Sequence, residues 1–141
     1  MKRAPLLEVD AIDAFYGPIQ ALRGVTLTIG AGERVAVLGP NGAGKTTTLR
    51  CVSGLLAPRH GEIRLDGERI DGLAPERVIQ RGIAHLPEGR ELFASLSVED
   101  NLRAGFWTQR RSDFSYSEQR DRAMAHFPIL RERAKQAAGT L

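Results

Sequence analysis

Cysteine is nearly missing from this sequence: Cys51 is the single one among 141 residues. One thiol excludes an internal disulfide framework and a CxxC metal site. It leaves Cys51 the role of a small buried apolar residue. Aromatic residues are scarce at 6%, so aliphatic side chains must supply most of the core. No apolar run approaches the ~20 residues of a membrane-spanning helix. The opening Met1-Lys2-Arg3-Ala4-Pro5 lacks the apolar stretch of a signal peptide. The expectation is a cytosolic chain whose membrane role can only be peripheral. A strong charge of one sign is lacking too. Twenty basic and 17 acidic residues leave +3, too small an excess to indicate a nucleic-acid partner. Arg110, Arg111 and residues 131–135 read as solvated helix faces.

What remains is a globular balance, 42% hydrophobic and 26% charged, in a length that suits one domain. Residues 6–9 alternate as a strand, and Phe15-Tyr16-Gly17-Pro18 breaks it into a turn. Residues 21–29 read as a second strand with β-branched side chains on alternate positions. Residues 30–33 give a tight reversal, and residues 34–38 are a short apolar run of the buried-strand kind. Residues 45–53 should be helix, stopped by Gly54 and then Pro58. Residues 62–65 form a strand turning at Asp66-Gly67. Residues 75–81 form a helix ending at Gly82, and residues 83–86 a further buried strand closed by Pro87. From Ser97 the character changes. Ser97-Val98-Glu99-Asp100 has the form of a capping box, and helical patterns continue to about residue 136, interrupted near residues 112–115 and at Pro128. The first ninety residues are therefore mixed α/β and the remainder helical.

The chemistry sits in Gly39-Pro40-Asn41-Gly42-Ala43-Gly44-Lys45-Thr46, which satisfies GxxxxGK[ST] at every position. The glycines let consecutive backbone N–H groups converge on phosphate oxygens without a Cβ in the way. The helix that follows offers unpaired amides and the positive end of its dipole to the same anion. Lys45 adds a full charge at the β- and γ-phosphates, and the Thr46 hydroxyl can complete a Mg²⁺ shell. A buried strand before the loop and a helix after it are the context that this motif requires.

With these residues in view, the whole chain from about residue 6 resembles the nucleotide-binding subunit of ABC transporters. The match is tightest to the LivF-type subunits of branched-chain amino acid importers. The stretches that carry the resemblance are residues 15–24 (FYGPIQALRG), 41–49 (NGAGKTTTL), 82–90 (GIAHLPEGR), 97–102 (SVEDNL) and 138–141 (AGTL). The resemblance implies an α/β P-loop NTPase fold of the ABC type. Its parts would be an N-terminal antiparallel β portion, an incomplete parallel core sheet and the start of a helical subdomain. The nucleotide-binding core would run over about residues 1–90 and the helical part over 91–141.

It also implies ATP and Mg²⁺ as cofactors. Tyr16 would stack on adenine; Gly39, Asn41, Gly42, Ala43, Gly44, Lys45, Thr46 and Thr47 would hold phosphates; Thr46 and Glu88 would serve the metal. The wider family carries glutamine where Glu88 stands, whereas LivF-like members share the carboxylate. A carboxylate can ligate Mg²⁺ but adds negative charge beside a triphosphate, so a plain loop residue is the competing reading. Residues 90–109 would face the membrane subunit. His60, His85 and His126 match no catalytic position and read as structural or surface residues.

The implied partners are membrane-spanning permease subunits, a second ATP-binding subunit and an external substrate-binding protein, with no nucleic acid. The implied place is the cytoplasmic face of the inner membrane. The family pattern would run from Leu141 straight into its LSGGQ signature and an Asp-Glu pair that engages Mg²⁺ and water. The expectation is therefore a fragment that carries no catalytic residue of its own. Branched-chain amino acid uptake leads the functional readings. A non-transport ABC-type ATPase, a binding fragment without hydrolysis, and urea or amide uptake stand as alternatives.

Overall fold

The computed structural model describes residues 4–89, 91–106 and 115–141. The chain divides into two compact units, Met1–His85 and Leu86–Leu141.

The first unit is built on a four-stranded antiparallel sheet in the order β2-β1-β3-β4. Strand β1 spans Leu7–Tyr16, β2 Ile19–Ile29, β3 His60–Leu65 and β4 Glu68–Arg69. Strands β1 and β2 form a hairpin closed at the Tyr16–Ile19 pair. Its turn needs a positive φ, which Gly17 supplies at 58°. Both sides of β1 carry a register shift around Ala11. The extra residue matters. Val9 and Ile12 are an odd number of positions apart and would face opposite sides of a regular strand. The bulge places both in the core, and Ala11 takes φ +47° to make it.

Against this sheet lies α1, Lys45–Val52, whose Cys51 and Val52 join Val9, Ile12, Ala14, Leu22, Ile63 and Ile70 in one core cluster. Cys51 is only 2% exposed, the buried role read for it from its solitude. Helix α2, Pro75–Gln80, opens with proline at its first position and buries Val78.

Two sequence expectations fail here. Residues 34–38 and 83–86 carry no strand ladder, so every strand pairing among the described residues is antiparallel. Leu38 and Leu86 are 89% and 94% exposed rather than buried. The reason is non-local. A short apolar run becomes a strand only when neighbouring strands take up its N–H and C=O groups on both sides. Among the described residues neither segment has that neighbour.

In the second unit α3 spans Val98–Phe106, α4 Tyr116–His126 and α5 Ile129–Glu132, followed by a 3₁₀ turn at Ala138–Thr140. The expected cap of α3 is present: the Asp100 amide donates to Ser97 Oγ at 3.0 Å. An isolated antiparallel bridge joins Ser97 to Ala137. Val98, Met124 and Ala138 are its buried apolar residues. Arg131, Arg133 and Lys135 are exposed, as expected of a solvated face. Arg110, Arg111 and residues 112–114 lie outside the described residues. No helix among the described residues is long and apolar enough to cross a membrane.

Candidate functional site

The glycine-rich loop leads into α1 through Gly44, which stands at the N-cap with φ 91°. No side chain caps this helix end and no carboxylate lies in its first turn. The amides of Lys45, Thr46 and Thr47 therefore keep the unsatisfied character of a first helical turn, open to an incoming anion. Gly42, at φ 83°, has open space where a Cβ would stand. Gly39 is tighter, with the Ala43 methyl 3.2 Å from its notional Cβ. Inside the loop the Ala43 amide donates to the Pro40 carbonyl at 3.2 Å, and Asn41 is exposed beside it.

Lys45 folds back across this loop. Its ammonium donates to the carbonyl oxygens of Gly39 at 2.7 Å and Pro40 at 2.8 Å. The charge is thereby held at the start of the bend by the loop's own carbonyl groups. Thr46 is exposed in the first turn, whereas Thr47 and Thr48 are buried. Thr48 is structural: its hydroxyl donates to the Gly44 carbonyl at 3.0 Å. The donor set thus suits a phosphate chain: first-turn amides with no side-chain cap, one ammonium held at the loop, and a hydroxyl on exposed Thr46 of the kind that takes Mg²⁺. Among the described residues no group of three or more His, Cys, Asp or Glu gathers as a protein-only metal site. A divalent ion here would need phosphate oxygens to complete its shell.

Tyr16 ends β1 in the same unit and is 42% exposed. Its neighbour Phe15 is covered by Arg59, whose guanidinium lies 4.0 Å from the ring centroid. Of the two aromatic residues, Tyr16 is the more exposed. The sequence reading missed what holds it. Arg50 Nη1 donates to the Tyr16 hydroxyl at 3.2 Å. Hydrogen bonding from Thr47, then from Arg50, holds the phenol below its ordinary pKa. Thr47 and Arg50 are three positions apart on α1 and so share a face. That spacing was the only local signal, and nothing in it names a partner 34 residues away.

Glu88 falls in the second unit, in an exposed bend after Pro87, while Thr46 belongs to the first. His60 pairs with Asp13 at 3.3 Å on the sheet.

Comparison with known proteins agrees with this geometry. The family model described as ABC transporter matches residues 22–141. The chain is 40% identical over 136 residues to the high-affinity branched-chain amino acid transport ATP-binding protein BraG of Pseudomonas aeruginosa, covering 96% of this chain and 58% of that protein. It is 35% identical to a probable branched-chain amino acid transport ATP-binding protein LivF of Archaeoglobus fulgidus, covering 96% and 57%. The match extends to proteins named for iron(III) import and for lipopolysaccharide export. A solved ATP-binding subunit of an ABC transporter superposes with a TM-score of 0.79 at 33% identity, covering 92% of this chain and 53% of that one. The chain thus spans somewhat more than half the length of BraG, LivF and that solved subunit. Its loop, its sheet and the extent of the match lead to one family: the chain belongs to the ATP-binding proteins of ABC transporters.

Proposed function

We propose that this chain binds MgATP through the loop of residues 39–46 and forms part of the ATPase that energises an ABC importer, with branched-chain amino acids as the transported class. The observation that carries the proposal is Lys45, held by the Gly39 and Pro40 carbonyls over a bend that opens into an uncapped helix. In this reading the amides of Gly42, Gly44, Lys45, Thr46 and Thr47 take phosphate oxygens, with Gly39, Asn41 and Ala43 shaping the bend. Lys45 neutralises the terminal phosphates, and Thr46 donates its hydroxyl oxygen to Mg²⁺. Tyr16, exposed at the end of β1, offers its ring to adenine. No residue here is assigned to activate water.

The substrate class rests on the names of BraG and LivF. The words transport and ATP-binding in those names support membrane-spanning permease subunits as partners; a second ATP-binding subunit, an external binding protein and a place at the cytoplasmic face of the membrane are proposed with them. Relatives named for other cargoes make lipopolysaccharide export or iron import the readings to exclude.

Titration calorimetry with MgATP tests the binding step. The wild-type chain should bind, and Lys45→Ala should weaken binding by at least about ten-fold, as expected for losing a charge-assisted contact. Equal affinity in both would sink the site. Uptake of labelled leucine by cells with and without the intact gene tests the cargo.

A further inference from the structure

The exposed ring of Tyr16 raises the question of how it is kept in place. An exposed ring at the end of an edge hairpin is free to rotate, and stacking a base on it would then have to freeze that motion. In this chain the ring is already tied. Its oxygen receives the Arg50 guanidinium at 3.2 Å, and Arg50 stands on the helix that begins with Lys45 and Thr46. Thr47, one turn earlier on the same helix face, acts on the same phenol. Phe15 has one ring face taken by Arg59, and the Arg59 Nη2 donation to the Gly17 carbonyl at 3.4 Å ties down the hairpin turn.

We infer that Arg50 is a positioning residue for base recognition: by donating to the Tyr16 hydroxyl it fixes the ring relative to the phosphate loop and sets how tightly a purine nucleotide is held. This rests on the reading of residues 39–46 as a triphosphate site and of Tyr16 as the base platform. It goes further in making base affinity depend on a helix residue that no loop motif includes. The phosphates report on the loop and the base reports on the Tyr16–Arg50 pair, so the two contributions separate by choice of probe.

The experiment compares MgATP with magnesium tripolyphosphate, which has the phosphates and no base, by calorimetry on the full chain. Arg50→Met keeps the aliphatic stem and loses the donor. It should weaken MgATP by about five-fold, the scale of one net hydrogen bond, and leave tripolyphosphate unchanged. Tyr16→Phe, which also loses the Thr47 contact, should weaken MgATP at least as much. The double variant should be no weaker than Tyr16→Phe alone, because Arg50 then has no hydroxyl to hold. Arg50→Lys should restore most of the MgATP affinity.

Unchanged MgATP affinity in Arg50→Met overturns the inference while leaving the phosphate site intact. So does a parallel loss of both probes, which would place Arg50 at the phosphates, or additivity of the two single variants. Failure of the underlying reading looks different. Lys45→Ala would then leave tripolyphosphate binding unaffected, or Tyr16→Leu would leave MgATP unaffected, whatever Arg50 does.

Discussion

Leu22 stands where a side chain at Gly44 would have to go: its Cδ2 lies 2.5 Å from the notional Cβ of that glycine, and the Ala21 carbonyl oxygen lies at 3.3 Å. Gly44 also holds φ +91°, a conformation that L residues avoid. The phosphate loop is therefore braced against β2 at a position that only glycine can occupy.

Gly44→Ala should cost about 1–3 kcal/mol through strain and overpacking together. It should also lower affinity for magnesium tripolyphosphate, because the loop must move to admit the methyl group. Pairing it with Leu22→Ala removes the clash and leaves the backbone strain. The pair should recover part of the affinity while losing further stability, because Leu22 is itself a core residue. Calorimetry and thermal unfolding read the two quantities separately; a Gly44→Ala chain with native affinity would show that the bracing is incidental.

The bulge at Ala11 makes a second, opposite-signed prediction. Ala11 is a non-glycine residue at φ +47°, and Gly61 faces it across the β1–β3 pair. A Cβ on Gly61 would lie 2.5 Å from the carbonyl oxygens of both Asp10 and Ala11. Ala11→Gly should stabilise the first unit by about 1 kcal/mol by relieving the left-handed penalty. Gly61→Ala should destabilise it by about 2 kcal/mol or more, since backbone cannot step aside as a flexible side chain can. Urea midpoints on both variants decide the matter; a loss of stability in Ala11→Gly would mean that entropy of the unfolded glycine outweighs the strain.

How much of this was legible beforehand divides by range. Helix α1, the β1–β2 hairpin and the turn at Asp66-Gly67 follow from local chemistry, and the reading of the sequence placed each of them. Residues 34–38 and 83–86 have the composition of buried strands, but composition cannot say whether a partner strand lies alongside. The Ala11 bulge was hidden for a related reason. Alternation in β1 looks regular until the extra residue shows that Val9 and Ile12 share a face. The cap of α4 was readable and passed over: Ser115 and Glu118 form a reciprocal capping box there. At the site, the loop was plain from spacing alone, because one contiguous stretch makes it. Arg50 was not, because its partner belongs to another element.

Cys51 offers a direct chemical check on the core. Burial pushes its thiol up to about 11. At pH 8 about one thiol in a thousand is then ionised, and the thiolate is the reactive form. Alkylation of the folded chain should be at least about a hundred-fold slower than in denaturant, since reagent must wait for opening of the core. Mass spectrometry after timed iodoacetamide exposure measures both rates. Prompt modification without denaturant would show that α1 does not pack on the sheet as described.

In the second unit Glu99 of α3 binds two residues of α4. It accepts from the Tyr116 hydroxyl at 2.8 Å and from Arg120 Nε at 3.0 Å. The Tyr116 hydrogen bond first, and then Arg120, hold its carboxyl below the usual glutamate range. A carboxyl with a depressed folded-state pKa binds fewer protons when folded than when unfolded. Its contribution is therefore fully present above the unfolded value of about 4.3 and disappears as pH falls through the lower folded value. Glu99→Gln keeps an acceptor for Tyr116 but cannot ionise. Wild type should be the more stable of the two at pH 7, and the gap should narrow steadily below about pH 4.5. Other carboxylates titrate in the same window, so the informative quantity is the difference between the two chains in urea midpoint, followed by circular dichroism from pH 7 to pH 3. Should the gap stay constant over that range, Glu99 acts through packing or geometry, and its ionised form contributes nothing to the α3–α4 contact.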